Sequence, residues 1–254
     1  MKKTLTVQDS LNGSLPMRQL IMIVIRLSIP AILAQISSIV MQYIDSAMAG
    51  SLGAEASASI GLVSTSTWLA GGLCISLATG FSVQTAQLIG AGRHTEAENV
   101  FRQSLITAVI FGLIIAAAGI AISPSLPVWL GGGDDIREGA TSYFLIYSAA
   151  LPFVQLRQLT GNMLQCSGDM KTPSVLNAAM CGFDVVFNYF LIFPTRAVTI
   201  SSLTFTMPGA GMGVAGAALG TALAEAVTAV LMLIAACFRS PSLRLTKNGS
   251  WRIR

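Results

Sequence analysis

The sequence predicts an all-α polytopic membrane protein, a six-helix transmembrane bundle. Three observations carry that prediction. The chain is 53% hydrophobic and only 10% charged, with a mean hydropathy of +0.70, whereas soluble domains carry roughly 25% charged residues. Apolar runs approaching the ~20 residues that a helix needs to cross a bilayer recur along its length. Lys and Arg cluster between those runs, on one side. Outer-membrane barrels would instead show short alternating segments, and the chain has none of that pattern over its length.

The first 20 residues are polar with one Pro, and residues 1–26 lack the basic, apolar, small-residue order of a cleavable signal. They read as a cytoplasmic lead-in, with Met17 to Arg26 lying at the interface. The first span, 27–49, is apolar apart from Asp45 and holds Pro30, which removes a backbone hydrogen bond and favours a bend. The spans 57–80 and 103–122 carry no charge. The fourth, 139–156, is the shortest; it runs between Glu138 and Arg157 and contains Pro152. The fifth, 173–193, is interrupted only by Asp184. An external loop with strand-like alternation follows over 194–210. The sixth span, 211–238, is interrupted only by Glu225 and opens on GAGMGVAGAALGT, whose small residues let helix backbones approach closely. Residues 239–254 form a basic cytoplasmic tail.

Six spans place both termini on one side of the membrane. That side holds thirteen of the fifteen Lys and Arg, and only Arg137 and Arg196 fall on the other. The basic side is therefore cytoplasmic. The net charge of +4 is an orientation signal, and no nucleic-acid partner is expected, because the bases are scattered over membrane-proximal loops and termini. The four cysteines show no metal or disulfide spacing and read as small buried residues. The loop Gly90–Thr95 (GAGRHT) lacks the Gly-Lys-Ser/Thr ending and the preceding strand of a phosphate loop. With no nucleophile–base pair, metal cluster or cofactor loop legible, neither enzyme activity nor a cofactor is expected.

The informative residues are acids at membrane depth, where a carboxylate is costly and tends to mark an ion pathway. A rise of ~1.5 Å per residue puts Asp45, Asp184, Asn188 and Thr221 at about 6, 14, 8 and 15 Å below the outer ends of their spans. All four fall in the outer half. Asp184 and Asn188 are spaced i, i+4 and share one helix face. Two carboxylates, an amide and a hydroxyl offer oxygen ligands suited to a hard cation such as sodium, and paired carboxylates away from water equally suit a proton. Glu225 lies one turn further in than Thr221 and, with Gln35, is a candidate for a substrate cavity. No Lys or Arg is expected inside the spans to neutralise these acids.

At these residues the chain resembles the multidrug and toxic compound extrusion (MATE) family. The matching stretches are IPAILAQISSIVMQYIDSAMAGSLGAE, QLIGAGRHTEAENVFRQ, LQCSGDMKTPSVLN, FDVVFNYFLIF and GVAGAALGT, in order, over residues 18–238 or so. The resemblance implies one six-helix lobe of a twelve-helix inner-membrane antiporter that exports amphipathic, often cationic compounds against inward sodium or proton flow. It implies that Asp45, Asp184, Asn188 and Thr221 form the lobe's cation site, and that Pro30 is the proline at which the first helix bends. One feature departs from the family pattern: Asp precedes Asn in the fifth span, the reverse of the family's order.

The chain ends in a stretch resembling the family's inter-lobe linker. The expectation is a truncated or half-length transporter, whose partners are membrane lipids, its small-molecule cargo, and a missing C-terminal lobe or a second copy. A lipid-linked saccharide flippase of related fold is the alternative within transport, disfavoured because the intramembrane charges read as acidic. An inactive membrane fragment or assembly partner is the alternative outside it.

Overall fold

A computed structural model describes residues 17–200 and 203–239. The expected lead-in before Met17 and the basic tail beyond Arg239 lie outside the described residues. Six long helices and one short one appear in chain order: α1 Met17–Ser51, α2 Ala54–Gly90, α3 His94–Ile122, α4 Leu126–Trp129, α5 Asp134–Cys166, α6 Lys171–Ile192 and α7 Gly213–Arg239. The shortest of the six long helices, α6, has 22 residues, a length of about 33 Å at 1.5 Å per residue against a ~30 Å hydrocarbon core. Four helices, α2, α3, α6 and α7, are both long and apolar enough to cross a membrane.

The helices outrun the apolar runs that announce them. The stretch Met17–Arg26, expected at the interface, is continuous with the first span in α1. The expected bend at Pro30 falls on a residue whose side chain lies outside the description. The fourth span differs most: expected over 139–156, it is the interior of the 33-residue helix α5. The segment after α6, expected as an external loop, is an antiparallel hairpin of β1 Pro194–Ile200 and β2 Leu203–Ala210, with a register irregularity between Pro194 and Arg196.

Packing explains why α5 tolerates polar residues. Its combined contact with α2, α7 and α3 exceeds that of any other helix with its neighbours. Its Leu159, Met163 and Leu164 join Phe101, Met232 and Ala236 in the largest core cluster, while Leu151 packs with Cys74 and Ala116. A helix walled by protein on several sides presents little surface to lipid, so its composition is free to be polar. Lipid tails are as apolar as Leu, and association rests on close contact of small residues. At Gly112 of α3 an added Cβ would lie 2.8 Å from Pro152 Cα, and at Gly119 it would lie 2.5 Å from Ser148 Oγ. These two glycines let α3 lie against α5.

The contrast is α1. It packs mainly on α6, with smaller contacts to α2 and α7. Ile21, Val24, Ile25, Ile29, Ile32, Leu33 and Ile36 are all exposed along it. Two turns, α2 to α3 and α5 to α6, are tight. Gly92, with φ +74°, and Gly168, with φ +91°, end α2 and α5 in left-handed geometry. The next amide then closes back on the helix, Arg93 N–H on Leu88 O at 2.9 Å and Asp169 N–H on Leu164 O at 3.0 Å. Asp169 in turn accepts from Thr172 N–H at 3.0 Å, holding the first turn of α6.

Candidate functional site

The site forms where α1 meets α6. Asn188 Nδ2 donates to Asp45 Oδ1 and to Asp184 Oδ2, each at 2.9 Å. An ionised carboxylate only accepts, and an amide nitrogen carries two hydrogens. One Asn therefore serves both acids. Asp184 is fully buried and Asn188 is 1% exposed. Asp184 Oδ1 and Asn188 Oδ1 are buried without a protein partner. These orphaned oxygens, one carboxylate and one amide, are acceptors suited to a proton or a hard monovalent cation.

Asp45 and Asn188 line a cavity of about 220 Å³, with Thr221 on its α7 wall. Thr221 Oγ1 donates to Ala217 O at 3.2 Å, an ordinary i−4 bond that leaves its lone pairs available. The cavity also takes Gln42 and Ser46 from α1, Ser64 and Thr67 from α2, and Tyr143 from α5. None of these residues is charged, so none stands out in the sequence against an apolar run. Their helical spacing was legible: Gln42 and Asp45, then Ser64 and Thr67, are i, i+3 pairs.

Asn188 is set in place by Gly220, which sequence reasoning treated only as part of a packing run. Gly216 and Gly220 form a small-xxx-small pair on α7. A Cβ on Gly216 would lie 2.5 Å from Leu191 O; one on Gly220 would overlap Asn188 Oδ1 and lie 2.9 Å from Asn188 N. Gly220→Ala is expected to destabilise the lobe by about 1–3 kcal/mol, the usual range for overpacking. Thermal unfolding in detergent checks this, and an unchanged midpoint would show that α6 and α7 do not need this approach.

A second cavity of about 190 Å³ lies on the other side of Thr221, lined by α2, α5 and α7. Glu225 lines it, and so does Arg157. This corrects the expectation that no base lies among the intramembrane acids. Because α5 continues to Cys166, Arg157 is interior to the helix, where it forms an ion pair with Glu225 through Nε and Oε2. Its Nη1 donates to Asn177 Oδ1 on α6 at 3.3 Å. The two charged side chains are 18% and 10% exposed. Gln35, the other residue expected in a substrate cavity, is exposed and lines neither of these two cavities.

Comparison with known proteins gives consistent results. The MatE family model matches residues 30–190. A curated relative from Thermotoga maritima, "Probable multidrug resistance protein NorM", is 24% identical over 209 residues, 82% of this chain and 42% of that protein. Another of the same description, from Idiomarina loihiensis, is 28% identical over 76% of this chain and 40% of its own. Among solved structures, one described as MATE in the straight conformation aligns with a TM-score of 0.75 at 24% identity, covering 88% of this chain and 46% of its own. The chain thus spans less than half the length of the relatives it matches, and that solved structure shares its all-α membrane fold.

Proposed function

The chain belongs to the MatE family, and from that premise we propose that it is a six-helix lobe of a cation-coupled multidrug antiporter. It works in the plasma (inner) membrane with both termini cytoplasmic, and exports amphipathic organic compounds together with a second lobe, either a C-terminal lobe or a second copy of this chain. Its coupling ion is sodium or a proton. The observation that carries this reading is the Asn188 bridge between Asp45 and Asp184, with buried oxygens left unpartnered beside it.

The bridge sits at the joint between the most loosely packed helix and the rest of the bundle. Cys181 Sγ–H also reaches across this joint, to Ser37 O at 3.1 Å. A cation or proton taken up by Asp45 and Asp184 changes the charge that Asn188 bridges, and so changes how α1 is held. An ion shifts a conformational equilibrium only by its differential affinity for the two states. Here the differential is whether α1 lies against α6. If the ion-loaded state binds cargo less well, the coupling is reciprocal, and inward ion flow drives cargo out. Family membership, more than cavity charge, favours an antiporter over a lipid-linked saccharide flippase, since Arg157 makes the second cavity no longer purely acidic.

The test is ethidium efflux from vesicles in which the assembled transporter faces an imposed sodium or proton gradient. Asp45→Asn is expected to abolish the gradient-dependent part of efflux. Gradient-driven efflux at the wild-type rate in that variant would refute the site assignment, and the gradient that drives the wild type identifies the ion.

A further inference from the structure

The acid of the second cavity is already answered by a base, and this bears on what the cavity binds. We propose that the cavity between α2, α5 and α7 selects ligands carrying both a cationic and an anionic group. The proposal rests on reading this cavity as part of the transporter's cargo site, and it names the class of cargo.

The reasoning turns on the Arg157–Glu225 pair. Both side chains line the cavity and both are largely removed from water. A singly charged organic cation that binds Glu225 either displaces Arg157, leaving the guanidinium with the amide oxygen of Asn177 at 3.3 Å, or shares the carboxylate with it, and both outcomes leave a net positive charge largely removed from water. A singly charged anion that binds Arg157 strands Glu225 in the same way. Leaving one member of a buried ion pair without its partner is strongly unfavourable. A zwitterion exchanges partners with the pair: its ammonium takes Glu225, its carboxylate or phosphate takes Arg157, and no charge is stranded. Asn177 supplies a neutral amide to the guanidinium, and Gln158 and Tyr147, on α5 with Arg157, line the same cavity.

Size narrows the ligand further. At about 190 Å³ the cavity is smaller than the about 300–1,000 Å³ of drug-sized pockets. It suits a small zwitterion or the zwitterionic headgroup of a longer amphiphile. Thr221 lines this cavity and the one holding Asp45 and Asn188, so a ligand here lies one residue away from the proposed ion site.

Equilibrium binding to the full 254-residue chain in nonionic detergent tests the proposal with three probes of one scaffold: 4-(aminomethyl)benzoate, benzylammonium and benzoate. The wild type is expected to bind the zwitterion at least about tenfold more tightly than either singly charged probe. Arg157→Gln should shift the preference to benzylammonium, and Glu225→Gln should shift it to benzoate. Arg157→Lys, which keeps the charge and guards against misfolding of the other variants, should retain the zwitterion preference. Displacement of the bound zwitterion by dihexanoyl phosphatidylethanolamine identifies a lipid headgroup as the natural source, and its failure to displace identifies a soluble one. Benzylammonium binding the wild type as tightly as the zwitterion, or none of the three binding, overturns the proposal. Gradient-driven efflux of ethidium, a cargo that need not enter this cavity, reports on the antiporter reading separately, so either can fail with the other intact.

Discussion

Arg157→Met is expected to destabilise the lobe by about 3–5 kcal/mol, the cost of removing one partner from a buried ion pair. The variant leaves the Glu225 carboxylate, 10% exposed as a side chain, on the wall of a largely apolar cavity. It also removes the donor to Asn177 Oδ1 and with it a polar link between α5 and α6. Glu225→Leu alone should be costly for the same reason, because the guanidinium is then left without its carboxylate. The double variant Arg157→Met/Glu225→Leu should recover most of the loss, since a buried pair replaced by apolar groups of similar size is often neutral or better. Thermal unfolding of the four proteins in detergent closes the double-mutant cycle. Single variants within about 0.5 kcal/mol of the wild type, the range of ordinary surface substitutions, would show that the pair is screened by solvent.

The same residue shows where sequence reading reaches its limit. Apolar length predicts a span by ending it at the first charge, so the fourth ends at Arg157 and the cation is assigned to the cytoplasmic surface. That rule treats every helix as facing lipid. The helix α5 faces α2, α3 and α7 instead, and its fully buried Gln155 and Thr160 are further departures from apolar composition that the neighbours permit. Which helix is central is a property of packing, and hydropathy does not encode it. By contrast Asp45 and Asp184 were legible because each is a lone charge in an otherwise apolar run, and Asn188 because it is one helical turn from Asp184. Thr221 was legible at its depth, and it does line the cavity with Asp45 and Asn188. Gln35 resembles them as a polar residue in a span, and it is exposed and lines neither of the two cavities. Gly220 was visible only as one of many small residues. Its particular contact, against Asn188, depends on the angle at which α7 crosses α6.

Asn188→Leu should have the largest effect on the proposed ion site. Leu keeps the γ-branched shape of Asn, though it is bulkier against Gly220, and it takes away both hydrogen bonds at once. Asp45 Oδ1 and Asp184 Oδ2 lose their shared donor. An acceptor left unsatisfied in a buried site costs about 1–3 kcal/mol, and more when charged, so the two together are expected to cost about 2–6 kcal/mol. The Asp-then-Asn order sharpens this expectation. It puts the amide at 188, where it reaches Asp45 on α1 as well as Asp184 one turn away on its own helix, so a single substitution severs the acids from each other and α1 from α6. Placing the same substitution in an Asp184→Asn background should cost less, because one of the two stranded charges is then absent and the new amide can itself donate. Unfolding midpoints of the four proteins measure the coupling, and gradient-driven efflux measures its functional side. Equal costs in the two backgrounds would mean that Asn188 serves packing alone, and the bridge would then no longer support the proposed coupling of ion uptake to the position of α1.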